Sequence, residues 1–236
     1  RELYRQMLIR LFDFSLDAHP NVGRDISEDA ENLIIRIEQL IYQYPDARSC
    51  LEELPYPRKS ALANGINCVF YALLFCRQLG FAASHEIAFA ALFHNLGLAE
   101  IDPKLPLLHE SDLSGAELLV YQRHPALSIE ILLRKVIKLT PLQERAILHH
   151  HENYDGTGWP AALAGATLPT EAALLSIIGA FDYCNTTSPG ENARSSQEAW
   201  QQLLKFHRES TTLGKKFRPE LLARIGVLFK DPNGSK

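Results

Sequence analysis

The sequence predicts an all-α protein, and three observations support this fold class. Apolar side chains recur at intervals of three and four between Ile66 and Leu74, which places them on one face of a helix. Two segments, Ser114–Glu117 (SGAE) and Thr140–Gln143 (TPLQ), match the capping box that starts many helices. No segment shows the convincing apolar–polar alternation of a half-buried strand. We therefore expect about seven to nine helices and no sheet.

Local start and stop signals define these helices in order. The helix containing Ile66 should end at Gly80, because glycine favours the left-handed conformation found at helix C-termini. The next helix should begin after Ser84 and stop at Gly97. Pro125 should end one helix and start another, since proline lacks the amide proton that a helix interior needs. Further helices are expected after the capping residues Ser114, Thr140 and Ser195, and over residues 219–229.

The first part of the chain, residues 1–58, is expected to lie outside the main domain of residues 59–232. It contains two amphipathic stretches, at about residues 2–16 and 28–44, joined by the turn-rich segment DAHPNVGRD. This part is expected to be a helical extension packed on the main domain, or a connector to another part of the protein. The chain begins RELYRQ without methionine, so we expect native sequence upstream.

Composition excludes several classes of protein. Acidic and basic residues are interspersed and the net charge is −4, whereas a nucleic-acid-binding domain would normally carry a basic stripe. No apolar run reaches the roughly 18 residues that a transmembrane helix needs. The four cysteines form no CxxC pair, and three of them lie in apolar runs. Buried free thiols suit a reducing compartment, so the sequence predicts a cytoplasmic protein.

The segment HHHENYDGTGWP, residues 149–160, indicates a metal site, because three consecutive imidazoles are unusual on a helix surface. His94 and His124 also lie at expected helix ends, and Asp182 lies inside an otherwise apolar helix. A lone histidine at such a place is usually a helix cap or a satisfied core residue, and Asp182 alone could be a buried hydrogen-bond acceptor. Together these residues indicate a metal centre inside a helical bundle. His19, His85, His109 and His207 have polar or turn contexts and are expected at the surface.

The segment HHENYDGTGWP resembles the signature of the HD-GYP family, in which two histidines, a glutamate and a DGTGYP turn follow in this order. The segments AALFHNLGLAEI, RHPALSIEIL and LLSIIGAFDYCNTTS resemble the family's His-Asp helix, its histidine-proline helix and the helix of its last metal-binding aspartate. SQEAWQQLLKF and GKKFRPELLARI resemble its two closing helices. The resemblance covers residues 59–232 and implies an HD-domain-like helical bundle with a two- or three-metal cyclic di-GMP phosphodiesterase centre.

Several positions depart from the family pattern, which makes this a degenerate member. Asn95 stands where the family has the aspartate that bridges two metals, and a neutral amide is a poor substitute for an anionic bridge. Leu98 replaces a lysine that would contact phosphate, and Asn64 aligns with the first metal-binding histidine. Trp159 replaces the tyrosine of GYP. Only Arg194 remains as a possible phosphate contact after the last aspartate.

The resemblance implies that His124, His150 and His151 form one half of a metal centre and that His94 and Asp182 contribute to the other. Asn64 and Asn95 are weak or lost ligands. Three imidazoles can hold Fe²⁺, Mn²⁺ or Zn²⁺, so we expect a divalent transition metal, with a single ion or none as the alternatives to the family's cluster.

The DGTGWP turn allows positive φ at Gly156 and Gly158 and needs no ligand as structure. In the family this region is also a proposed contact for GGDEF-type domains. Gly158, Trp159 and Pro160 are therefore expected to form a substrate or partner surface, and core packing is the alternative for Trp159.

Three hypotheses follow. The first is a catalytically impaired HD-GYP-type domain that acts as a cyclic di-GMP sensor or partner-binding module. The second is an active metal-dependent cyclic di-GMP phosphodiesterase with an altered metal centre. The third is a structural helical scaffold that binds neither metal nor nucleotide.

Overall fold

A computed structural model describes residue 6 and residues 22–43, 61–107, 112–186, 194–209 and 214–230. These residues contain nine α-helices and several short 3₁₀ turns. They form no β-strand, and a single isolated bridge joins Asp155 to Ala164. The predicted all-α fold class is therefore confirmed. None of the described helices combines the length and apolar character that crossing a membrane requires.

The helices are numbered here in chain order. They are α1 (Val22–Gln43), α2 (Ala61–Leu79), α3 (Ser84–Phe93), α4 (Gly115–Tyr121), α5 (His124–Arg134), α6 (Pro141–Leu148), α7 (Thr170–Asn185), α8 (Ser196–Glu209) and α9 (Pro219–Ile225).

Most of the predicted helix boundaries are observed. Ser114 and Thr140 both form complete capping boxes. Each of these side chains accepts a hydrogen bond from the backbone N–H three residues later, and the side chain of that later residue accepts from the backbone N–H of the capping residue. The same two reciprocal hydrogen bonds join Ser195 and Glu198 at the start of α8. Gly80 follows α2 with φ 64°. Pro125 lies in the first turn of α5, as predicted.

Three predicted boundaries differ from the structure. The helix expected over residues 219–229 is α-helical only over Pro219–Ile225, and a 3₁₀ helix continues over Gly226–Phe229. The helix after Ser84 does not continue to Gly97, because α3 ends at Phe93 and a 3₁₀ helix follows at Leu96–Glu100. The N-terminal helix α1 begins at Val22, so its start lies inside the segment DAHPNVGRD, which was expected to be a turn. The other predicted amphipathic stretch, residues 2–16, lies outside the described residues except for Gln6.

The core is centred on α2, α3 and α7. The residues of α3 from Ile87 to Phe93 are all buried, as are the aromatic rings of Tyr71, Phe75 and Phe181. Trp200 of α8 and Phe229 stack on each other, with ring centroids 4.6 Å apart, and close one side of this core. The buried side chains of α1, namely Ile26, Ala30, Leu33, Ile34 and Ile41, join the same core. Helix α1 therefore packs on the main bundle.

Candidate metal centre

Three histidines from two helix ends converge in the interior. His124 is the first residue of α5, while His150 and His151 follow the end of α6. Their nearest ring nitrogens all lie within 4.8 Å of one another. The Nε2 atom of His124 is 3.5 Å from that of His150 and 3.2 Å from that of His151. Metal–nitrogen bonds of about 2.0–2.1 Å in a tetrahedral shell place ligand nitrogens about 3.3 Å apart, so these three donors fit one transition metal ion.

The backbone fixes which ring nitrogen of each histidine carries a proton. The Nδ1 atom of His124 lies 2.8 Å from the Tyr121 carbonyl, and that of His150 lies 2.7 Å from the Ile147 carbonyl. A carbonyl only accepts, so each Nδ1 must donate. In the neutral rings both Nε2 atoms then present lone pairs to each other. Two facing lone pairs need a shared cation, and this arrangement is the one that metal-binding histidines show.

His94 packs directly against this group. It follows α3, and its ring centroid is 4.8 Å from that of His150. Its Nδ1 lies 2.7 Å from the Ala91 carbonyl, so its Nε2 also carries the lone pair. Among the described residues, however, the group of mutually close ligand atoms contains only the other three histidines.

Burial keeps these imidazoles neutral. It lowers the pKa of His94 from 6.5 to about 4 and that of His124 to about 3, although backbone hydrogen bonds oppose the shift. Burial also holds the pKa values of His150 and His151 well below 6.5, and the neighbouring imidazoles add to the effect. Neutral rings are the form that binds a metal ion.

A buried serine fixes the distance between the end of α3 and the start of α5. The hydroxyl of Ser128 lies 2.9 Å from the carbonyls of both His94 and His124, and it accepts a hydrogen bond from the Gly97 amide at 2.8 Å. A Cβ atom on Gly97 would lie 2.1 Å from the His124 carbonyl oxygen. The close approach of the two histidine-bearing segments therefore requires glycine at position 97.

Asp182 lies in a different set of contacts. The Nδ2 atom of Asn64 on α2 donates to Oδ2 of Asp182 on α7 at 2.6 Å. The Nδ2 atom of Asn95 donates to Oδ1 of Asn64 at 2.9 Å. Burial raises the pKa of Asp182 from 3.8 to about 7, and the amides of Asn64 and Asn67 oppose the shift. The Oδ1 atom of Asp182 has no hydrogen bond of acceptable geometry within the described part of the chain.

The signature turn wraps closely around its own start. Gly156 has φ 80°, as predicted, but Gly158 does not have positive φ. Glycine is needed at position 158 for space, because a Cβ atom there would lie 2.2 Å from the amide nitrogen of Asn153. The glutamate of the signature holds the turn. Glu152 is buried, and its carboxylate accepts hydrogen bonds from the amides of Ala161 and Leu163 at 2.6 and 3.0 Å.

Trp159 covers one side of the histidine group. Its ring stacks on His151, with centroids 4.1 Å apart and an interplanar angle of 13°. Tyr121 adds a second aromatic wall, at centroid distances of 4.9 Å from His124 and 6.2 Å from Trp159. Pro160, joined to Trp159 by a cis peptide bond, is exposed. The tryptophan of the turn therefore contacts the candidate ligands rather than only the surface.

Leu98, which replaces the family's phosphate-contacting lysine, and Arg194, the possible remaining phosphate contact, differ in what they offer. Leu98 lies in the 3₁₀ helix Leu96–Glu100 and presents an apolar side chain. The guanidinium of Arg194 donates to the Cys184 carbonyl at 3.1 Å near the C-terminus of α7. Lys216 is a cation that the sequence analysis did not single out. Its ammonium donates to Oδ1 of Asn153 at 2.8 Å and lowers the pKa of His151.

The histidines that were expected at the surface divide into three cases. His85 is exposed and contacts Glu38 at 2.9 Å. His207 is partly buried, and its Nδ1 accepts a hydrogen bond from the Phe217 amide at 3.0 Å, so it is not a plain surface residue. His19 and His109 lie outside the described residues. Cys68, Cys76 and Cys184 are free and buried, as predicted.

Sequence analysis missed the supporting residues Tyr121, Ser128 and Lys216 and assigned no role to Glu152. Ser128 and Tyr121 have a spacing from His124 that can be read from the sequence. Ser128 lies four residues after His124, the spacing at which a helical serine bonds back to the preceding turn. Tyr121 lies three residues before His124, and the same three-residue spacing links His94 to Ala91 and His150 to Ile147. Lys216 is brought to the turn from a distant segment and carries no such signal.

Comparison with known proteins places this fold in a family. The HD domain profile matches residues 37–211. The chain is 28% identical over 146 residues to a cyclic di-GMP phosphodiesterase of Thermotoga maritima, covering 62% of this chain and 38% of that protein. It is 33% identical over 129 residues to the cyclic di-GMP phosphodiesterase response regulator RpfG of Xanthomonas campestris, covering 54% of this chain and 32% of that protein.

Two further relatives extend the coverage. A 3'3'-cGAMP-specific phosphodiesterase 2 of Vibrio cholerae is 26% identical over 192 residues, covering 75% of this chain and 34% of that protein. The chain thus spans about a third of the length of these curated relatives. The structure of Bd1817, an HDG"Y"P protein from Bdellovibrio bacteriovorus, superposes with a TM-score of 0.69 at 19% identity over 96% of this chain and 69% of that one. The fold, the histidine group and the profile match agree, and the chain belongs to the HD domain family.

Proposed function

We propose that this chain is a metal-binding HD-GYP-type domain that recognises cyclic di-GMP and hydrolyses it poorly or not at all. Its role is that of a nucleotide sensor or of a module that binds a partner such as a GGDEF-type domain. The observation that carries the proposal is the facing pair of Nε2 lone pairs on His124 and His150, with His151 as the third donor.

The nucleotide assignment rests on the relatives. Two of them are named cyclic di-GMP phosphodiesterases, and a third acts on a different 3'3'-linked cyclic dinucleotide. A divalent cation held by the three histidines would supply Lewis-acid polarisation of a phosphate oxygen. Around it, Trp159 and Tyr121 offer aromatic faces and Lys216 offers a positive charge close to His151. These groups suit the recognition of a nucleotide phosphate and base.

Impaired hydrolysis rests on the groups that are replaced. Neutral amides occupy positions 64 and 95, and leucine occupies position 98. Phosphodiester cleavage needs charge neutralisation at the phosphate and at the leaving oxygen. The loss of a single electrostatic contact of this kind costs about 10²–10³ in rate. Several such losses together support binding without efficient turnover.

The test is turnover and binding measured on the same protein. The purified chain is supplied with Fe²⁺ or Mn²⁺ under anaerobic conditions, together with its His150→Ala and Asn95→Asp variants. We expect the parent to bind cyclic di-GMP by calorimetry, to release little linear dinucleotide or GMP, and to lose binding in His150→Ala. A gain of turnover in Asn95→Asp would identify the missing anionic bridge as the main defect.

Other outcomes favour the alternatives. Turnover by the parent that His150→Ala abolishes would support the active phosphodiesterase with an altered centre. The absence of both metal and nucleotide binding would favour the structural scaffold.

A further inference from the structure

The three residues Asn64, Asn95 and Asp182 join three elements through two hydrogen bonds. Asn64 lies on α2, Asn95 follows α3, and Asp182 lies on α7. The bond from Asn95 to Asn64 measures 2.9 Å and the bond from Asn64 to Asp182 measures 2.6 Å. Asp182 is buried, and Asn64 and Asn95 are partly buried. We call these three residues the amide clamp.

The carboxylate sets the direction of both bonds. Oδ2 of Asp182 is the acceptor, so the Asn64 amide turns its NH₂ group toward it. The Asn64 carbonyl oxygen then points the other way and must receive the NH₂ group of Asn95. Both amides therefore direct a donor, and not a lone pair, toward the next member of the clamp. In this orientation the Asn64 oxygen, the atom of that amide that could bind a cation, already accepts from Asn95.

The carboxylate of the clamp is not among the close ligand atoms of the histidine group. Among the described residues, the ligand atoms that lie mutually within 4.8 Å belong to His124, His150 and His151, and no carboxylate joins them. One oxygen of Asp182 is engaged by Asn64, and the buried Asn67 amide lies near the carboxyl group. A second dication beside the first would need an anionic group between the two, and the residue closest to that role, Asn95, is neutral.

We propose that the amide clamp takes the place of a second metal ion: Asp182 ties α2, α3 and α7 together through Asn64 and does not bind the metal, which the histidines alone hold. This differs from the expectation that Asp182 is a ligand. It rests on the proposed function only for the presence of the metal. The clamp itself needs no ion.

The test measures metal content and stability separately. The purified full chain and its Asp182→Asn, Asp182→Ala and His150→Ala variants are loaded with Fe²⁺, Mn²⁺ or Zn²⁺ and desalted, and bound metal is counted by elemental analysis. We expect about one ion per chain in the parent and in Asp182→Asn, because the new carbonyl can still accept from Asn64. His150→Ala should lose most of the metal.

Stability is then measured by urea unfolding in chelator. Asp182→Ala should lower the unfolding midpoint without any metal present, while Asp182→Asn should stay closer to the parent. The proposal is overturned if Asp182→Asn loses metal as His150→Ala does, or if the parent holds two ions. A metal-free parent would contradict the proposed function instead. In that case the clamp proposal would still be overturned if Asp182→Ala and the parent had the same urea unfolding midpoint in chelator.

Discussion

At the scale of single residues, the candidate ligands are held by neighbours that do not bind metal themselves. In His94, His124 and His150, the ring Nδ1 donates to a backbone carbonyl. His151 is held differently, by stacking on Trp159. The orientation of its ring therefore depends on a residue of the signature turn.

Trp159→Ala should weaken metal binding about tenfold, the low end of the roughly 10–100-fold cost of losing a residue that orients a metal ligand. The reason is that removal of the indole takes away the surface on which the His151 ring stacks. Affinity is measured by competition with a chromophoric chelator. Trp159→Phe serves as the control and should keep most of the affinity, since phenyl can still stack. Equal loss in both variants would contradict a stacking role.

Glu152→Gln should lower the free energy of unfolding by about 1–3 kcal/mol. The buried carboxylate accepts from two backbone amides, and glutamine would turn an NH₂ group toward one of them. Urea unfolding measures the change. Glu130→Gln on the exposed face of α5 makes the same chemical change without these partners, and it should be near neutral. If the two variants behave alike, the glutamate of the signature is not what holds the turn.

At the scale of elements, the site depends on how closely the segment after α3 approaches α5. Ser128 bridges the two through the carbonyls of His94 and His124, and Gly97 leaves the space that this approach requires. Both residues act on the spacing of the histidines rather than on the metal.

Gly97→Ala should cost about 1–3 kcal/mol of unfolding free energy, the usual cost of overpacking, and should also weaken metal binding. An added methyl group would lie 2.1 Å from the His124 carbonyl oxygen, so α5 must shift and carry His124 with it. Thermal unfolding and metal titration report the two effects. Gly115→Ala is the matched control, because a Cβ atom there meets nothing within 4 Å. A stable Gly97→Ala protein with normal metal affinity would refute this account of the spacing.

At the scale of the whole molecule, buried ionisable groups make stability depend on pH. The four buried imidazoles at the candidate centre have folded pKa values below 6.5, with His94 near 4 and His124 near 3. Below about pH 6.5 the imidazoles of the unfolded chain therefore bind protons that those of the folded chain do not bind, so acid favours unfolding. The stability linked to these groups is present above pH 6.5 and is lost as the pH falls toward 4.

Asp182 changes the pH dependence of stability in the opposite direction. Its pKa rises from 3.8 to about 7 on folding, so the stability linked to it is lost as the pH rises through 7. Four imidazoles outweigh one carboxyl group. We therefore expect the free energy of unfolding in chelator to fall between pH 6.5 and about 4, and to fall more steeply in Asp182→Asn. Urea titrations at several pH values measure this slope, and stability that is flat or rises on acidification would contradict it.

The sequence by itself determined the local features of the protein. The capping boxes at Ser114 and Thr140 begin α4 and α6 because a capping side chain acts on its own first turn. The apolar spacing of α2 and the adjacent pair His150–His151 are likewise read directly from neighbouring residues. These signals sufficed for the all-α fold class, while the candidate ligand histidines were named from the family resemblance.

Only the tertiary structure decided how those histidines are used. The facing Nε2 atoms of His124 and His150 depend on two backbone carbonyls and on the approach of α5 to the end of α6. The contact between Asn64 and Asp182 joins residues 118 positions apart, and nothing in either local sequence specifies it. Side-chain donors and lone pairs acquire a direction only when distant elements pack. For that reason the sequence indicated a metal centre, while the packed structure shows which of its residues face each other through lone pairs and which meet through amide hydrogen bonds.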